Sequence, residues 1–160
     1  MRDLIKRKVF KILLCVIWLG VIFYNRTRPG EISQKSSNEI INVAKKVIKI
    51  PAVSIDEAGS KFKDVNFYIR KNAHFFQYLI LGLLLCSALR QFKLNKGTEI
   101  FLMLFLLLLF PVIDELIQKY IPGRTSNITD IVIDFSGGVL AVVLSIISHK
   151  MHKEKSTVNL

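Results

Sequence analysis

Disulfide chemistry has little to work with in this chain. It holds two cysteines in 160 residues, and Cys15 and Cys86 each sit inside an apolar block, which argues for buried thiols and against a disulfide framework or a metal pair. No Gly-x-Ser-x-Gly, no nucleotide-binding loop and no His-Glu-x-x-His occurs. Serine nucleophiles and ATP chemistry therefore have no motif to stand on, metal chemistry is only weakly supported with no residue assigned as a metal ligand, and the sequence leaves the cofactor unknown. Zinc spacings and basic stretches interleaved with aromatics are missing too, so nucleic acid is not an expected partner. Internal repeats and low-complexity tracts are absent from the sequence. Acids are scarce, 12 against 23 Lys and Arg, for a net charge of +11.

What the chain has in plenty is apolar side chain. Hydrophobic residues make up 51% of it and its mean hydropathy is +0.41, which points to a membrane protein. The basic residues lie mostly at the ends and between the apolar blocks, where they suit the anionic surface of a bilayer.

Four apolar segments are expected to span, giving an all-α, polytopic four-transmembrane-helix bundle in a single domain. The first, 9–24, follows Arg2, Lys6, Arg7 and Lys8. It resembles a signal peptide at its start but lacks a small-x-small cleavage site before "NRTRPG", so it reads as an uncleaved span. The second is 73–92. The third, 99–118, reaches the roughly 20 residues that a span needs only by including Asp114 and Glu115, and the fourth, 128–148, only by including Asp130 and Asp134.

Lys and Arg set the expected orientation. The N-terminal cluster, the turn with Arg90, Lys93 and Lys96, and the tail with Lys150, Lys153 and Lys155 read as cytoplasmic flanks. Both termini then lie inside and the loop 25–72 outside; its own lysines are the contrary signal, softened by its length and its acids. Within that loop, Ser36 and Glu39 have capping-box spacing. Ile40, Ala44, Val47 and Ile48 share a face, Lys45, Lys46 and Lys49 another, and Pro51 closes the run. An amphipathic helix on the outer surface, or a lid on the bundle, is expected there.

With this topology the start of span two, the end of span three and the start of span four meet at the outer boundary. Lys71, His74 and Tyr78 form one helical stripe with Gln77 beside it. Asp114 and Glu115 stand four and three residues from Gln118, and Asp130 and Asp134 are one turn apart with Gly137 continuing their face. An Asp at mid-span costs about 2.5–3.5 kcal/mol on insertion scales, so these stripes should face one another. Pro122 and Gly123 suit a tight turn that folds Arg124 back over the acids, and Arg124, Lys71 and His74 are the expected sources of positive charge. The spacing from Gly137 to Ala141 lets a neighbouring helix approach closely, near Asp134. His149 and His152 read as a solvated flank.

Two stretches, "KNAHFFQYLILG" and "DELIQKYIPGRTSNITDIVIDFSGG", together resemble the VanZ-like membrane proteins. Their pattern is Lys-x-x-His-x-x-x-Tyr, then Asp-Glu-x-x-Gln, Pro-Gly-Arg, Asp, an Asn or Asp four residues on, and Gly. The chain matches at Lys71, His74, Tyr78, Asp114, Glu115, Gln118, Pro122, Gly123, Arg124, Asp130 and Gly137. It carries Asp134 where many members have Asn, and Ala141 where a second glycine is frequent. The extra carboxylate makes the pocket more acidic or holds a shared proton. The resemblance covers about 71–141; the first span and the loop carry no signature of their own.

The resemblance implies a multi-pass protein of the bacterial cell membrane, in a family whose namesake is associated with low-level resistance to the glycopeptide teicoplanin. It brings no established catalytic mechanism. One reading is that Arg124, Lys71 and His74 bind an anionic lipid or cell-wall-precursor headgroup at the outer face, to hold or modify it. Another is an intramembrane enzyme acting on a phosphorylated or glycosylated lipid through the His, Asp, Glu and Arg cluster. A third is a structural bundle whose charges only pair with one another. A transporter is disfavoured, since four spans are few and the acids gather at one side.

Overall fold

The computed structural model describes residues 2–27, 39, 55–124 and 126–158. It is all-helical: α1 (Arg2–Thr27), α2 (Ile55–Leu89), α3 (Lys96–Gln118) and α4 (Ile128–Val158), with a short 3-10 turn at Arg90–Phe92. Each of the four contains a stretch long and apolar enough to cross a membrane: Ile5–Thr27, Phe67–Phe92, Lys96–Gln118 and Ile128–Met151. The second helix begins at Ile55 and runs unbroken into its apolar part. The amphipathic helix expected between Ser36 and Pro51 lies outside the described residues, Glu39 apart.

Local chemistry sets the helix ends. The 3-10 turn stops at Lys93, whose backbone is left-handed at φ 51°. Asn95 then caps α3, its side chain accepting the Thr98 N–H at 2.8 Å, and Asn127 caps α4 by accepting the Thr129 N–H at 3.0 Å. Between α3 and α4 the Arg124 N–H donates to the Ile121 carbonyl at 3.2 Å. Gly123, at φ 72°, takes the third position of that turn after Pro122, where positive φ is required and a Cβ is disfavoured.

α2 and α4 form the main seam of the bundle, and small residues make it possible. A Cβ on Gly137 would run into the Phe75 carbonyl oxygen, and one on Gly82 into the Ala141 side chain. The α2 backbone is thereby pressed against α4 one turn from Asp134, the close approach of small residues typical of membrane helices. α3 closes the core towards one end through Leu107, Met103, Cys86, Leu85 and Val142.

α1 is the most peripheral helix. Among its described residues only Ile22 and Arg26 are buried, while Val9, Phe10, Val16 and Ile17 face outward with more than half their area exposed. In hydrocarbon that exposure carries no penalty. α1 is fixed to α2 by a cluster of Trp18, Leu19 and Ile22 with Tyr78 and Leu81. The Trp18 indole N–H adds a bond to the Gln77 carbonyl at 2.9 Å, and Lys11 reaches the Ser87 carbonyl at 3.3 Å.

These contacts fix an up-and-down arrangement. The end of α1, the first turns of the spanning part of α2, the end of α3 and the start of α4 meet at one end of the bundle. Arg90, which donates to the Ser145 carbonyl, lies at the other end.

Candidate functional site at the polar end of the bundle

The centre of the polar end is Arg26, a residue the sequence reading did not single out. It is 2% exposed. Its Nε lies 2.8 Å from Asp114 Oδ2 and its Nη2 donates to Asp134 Oδ2 at 3.0 Å. Its Nη1 also rests against the ring nitrogens of His74. Arg26 reaches this point because helical side chains slant back towards the N-terminus of their own helix. From the last turn of α1, the guanidinium is carried down into the bundle.

Beside Arg124, Lys71 and His74, the expected sources of positive charge, Arg26 supplies one that was not expected. The guanidinium between the acids belongs to Arg26, on the span that shows no motif. Asp114 and Asp134 are both fully buried, so the bridging cation had to come from a helix that reaches the interior, and a turn residue on the rim does not. His74 Nδ1 stands 3.4 Å from Asp134 Oδ1. A guanidinium only donates, so this contact suits a neutral imidazole, which has an acceptor nitrogen, and not an imidazolium, which has none.

Above this floor lies a rim. Lys71 pairs with Asp130, each largely but not wholly covered. Glu115 is held on both oxygens: Gln118 Nε2 donates to Oε1 at 3.0 Å and the Asn127 N–H to Oε2 at 2.9 Å. Arg124 donates to Gln118 Oε1 at 3.5 Å and to the Asn25 carbonyl at 3.2 Å, tying the turn to the end of α1. Burial, followed by repulsion from Arg70 and Arg26, pushes the Arg124 guanidinium below its usual range. The Tyr78 hydroxyl is fully buried within electrostatic reach of Asp114 and Asp134 and has no hydrogen-bond partner among the described residues.

Lys71, His74, Tyr78, Asp114, Glu115, Gln118, Arg124, Asp130 and Asp134 thus all lie at one end of the bundle. Pro122 and Gly123 form the turn beside them, and Gly137 the seam behind. Among the described residues no three His, Cys, Asp or Glu side chains gather where a metal ion could be held; the cluster is organised around a guanidinium.

Three exposed tyrosines indicate the depth of the site. Tyr24, Tyr68 and Tyr120 are 66%, 64% and 82% exposed and stand around this end, as tyrosines do at the membrane–water interface. His74 is six residues along α2 from Tyr68, and Asp114 six residues before Tyr120. At about 1.5 Å per residue the floor lies roughly 9 Å below that ring.

A family model described as VanZ/LLP1 matches residues 10–149. The chain belongs to the VanZ/LLP1 family. No curated protein and no solved structure matches it. The VanZ/LLP1 match extends well beyond the 71–141 stretch in which the motifs were legible and takes in α1 with Arg26. The four apolar helices make the chain a multi-pass membrane protein embedded in a lipid bilayer.

Proposed function

We propose that this VanZ-like protein sits in the bacterial cell membrane with both termini cytoplasmic, and that the polar end of the bundle opens outward. There it binds the anionic headgroup of an envelope lipid or cell-wall precursor, and through that contact acts in glycopeptide (teicoplanin) resistance. The observation that carries this reading is Arg124. The turn holds it half-buried at the level of the tyrosine ring, with Arg70 and Arg26 disfavouring its charge. An anion arriving at the rim relieves that repulsion and meets a guanidinium able to bind phosphate oxygens in pairs.

The enzymatic reading is weaker on this geometry. Asp114 and Asp134 are fully buried and turned onto Arg26, whereas a general base must come within hydrogen-bond reach of its substrate. A charge network alone pairs Arg26 with the floor acids but does not explain the accumulation of cations at the rim.

In a host where the chain raises teicoplanin tolerance, Arg124→Ala is expected to abolish that tolerance while membrane levels of the protein stay normal. Unchanged tolerance would remove the headgroup role of Arg124. Single cysteines placed at Asn127 and Asn95 test the orientation: an impermeant thiol reagent on intact cells should label the first and spare the second.

A further inference from the structure

Among the described residues, the floor of the site leaves one charge and several hydrogen bonds unmatched. The groups that face Asp114 and Asp134 can be paired off helix by helix. From α1 comes Arg26, which contacts both. From α2 come His74, neutral by its contact with Arg26, Tyr78, and Lys71, which is committed to Asp130 of α4. From α3 comes Glu115, held by Gln118 and Asn127, with Arg124 of the turn bonded to the far side of Gln118; Arg70 is exposed above. Among the described residues two carboxylates then share one guanidinium, and one negative charge is left without a counterpart.

The hydrogen bonds show the same gap. Among the described residues Asp114 Oδ1 and Oδ2 and Asp134 Oδ1 accept from no donor, and Arg26 Nε, though close to Asp114, does not aim its N–H at it. The Tyr78 hydroxyl, 0% exposed, also lacks a partner. Both acids are themselves 0% exposed, so whatever fills the gap is very small.

We propose that Asp114 and Asp134 hold one proton in common, making the floor a proton-binding site with the Tyr78 hydroxyl as its neighbouring donor. Uptake turns one of the two carboxylates into a carboxylic acid; no other bond changes. The pair then carries a single negative charge, which Arg26 matches. His74 is the entry point, because it is 8% exposed while both acids are fully buried, and its Nδ1 stands 3.4 Å from Asp134 Oδ1. The proton site goes beyond headgroup binding and stands whether or not the rim binds a lipid.

Infrared spectroscopy of the full chain in nanodiscs tests this. The wild type should show the C=O stretch of a buried carboxylic acid at neutral pH. Asp114→Asn and Asp134→Asn should each abolish it, since either leaves one carboxylate matched to Arg26, and Asp130→Asn should leave it intact. A wild type without the band, a band that survives either floor variant, or one lost with Asp130→Asn overturns the shared proton. Where an Asn variant does not fold, Asp114→Glu and Asp134→Glu keep the acid and should each shift the band; a band unmoved by both also overturns the proposal. Mass spectrometry of lipid retained by the same nanodisc preparations separates the two readings. Lipid retained without the band removes only the proton, and the band without lipid removes only the headgroup.

Discussion

At the end of the bundle near Gly123, Arg26 is 2% exposed and lies between two carboxylates that no solvent reaches. At the opposite end Arg90 stands 3.8 Å from Glu99, with a third of its side chain open. Both ends use an arginine against acid, but the surroundings decide what the contact is worth. Water and salt screen the open pair, and breaking it leaves two solvated ions. In the closed cluster each member is the solvent of the others, so removing one strands the rest. The comparison teaches that the polar end is held as a unit, while the basic end can lose single charges without consequence.

The sharpest way to break that comparison is at its centre. Arg26→Ala leaves Asp114 and Asp134 buried beside each other with no cation in contact. Removing one partner of a buried charge set costs about 3–5 kcal/mol, so the variant should lose most of its folded, monodisperse population in mild detergent, read by fluorescence-detected size exclusion after heating. Arg26→Lys retains the charge but offers one ammonium in place of a fork, and should fall between. A heat-stable Arg26→Ala protein would mean that the cluster is not held as a unit.

A second test leaves every charge in place. Gly137→Ala puts a methyl group into the Phe75 carbonyl oxygen, a backbone atom next to His74 that cannot move aside alone. Overpacking of this kind costs about 1–3 kcal/mol and should appear as a lower melting temperature in the same assay. Gly20→Ala on α1 meets nothing within 4 Å and should be neutral or gain up to about 1 kcal/mol from helix propensity. Equal effects at the two glycines would show that the α2–α4 seam does not set the geometry of the site.

The four spans and the gathering of His74, Asp114 and Asp134 at one end were legible because length, hydropathy and helical spacing are local properties that hydrocarbon enforces strongly. Arg26 was not, although a signal existed. It follows directly on an apolar span at the end that the charge rule assigns to the outside, where Lys and Arg are disfavoured. Read by position it is a flank residue; only the backward slant of a side chain in the last turn brings it inside. The placement of Arg124 was legible only in part, for the complementary reason. The Pro122–Gly123 turn does fold it back, but onto Gln118 and the Asn25 carbonyl, because Arg26 already fills the space between the acids. Partner choice between two arginines depends on where α1 docks, and Trp18, Leu19 and Ile22 reveal that only once their contacts with Tyr78 and Leu81 are seen.

The smallest effect is expected at the basic end, and it sharpens the comparison because a change there is chemically the same as one in the floor. Glu99→Gln removes a carboxylate from beside Arg90 just as Asp134→Asn removes one from beside Arg26. Arg90 keeps its bond to the Ser145 carbonyl, and Glu99 sits in the first turn of α3, where its charge adds a favourable helix-dipole contribution that salt screens. The net change should stay within about 0.5 kcal/mol and shrink further in high salt, whereas any change in the floor variant should be indifferent to salt because no ion reaches it. A melting-temperature series for the two variants at low and high ionic strength reads this directly. A Glu99→Gln loss as large as that of Asp134→Asn, and as insensitive to salt, would place the basic end in the same low-dielectric regime and remove the distinction between the two.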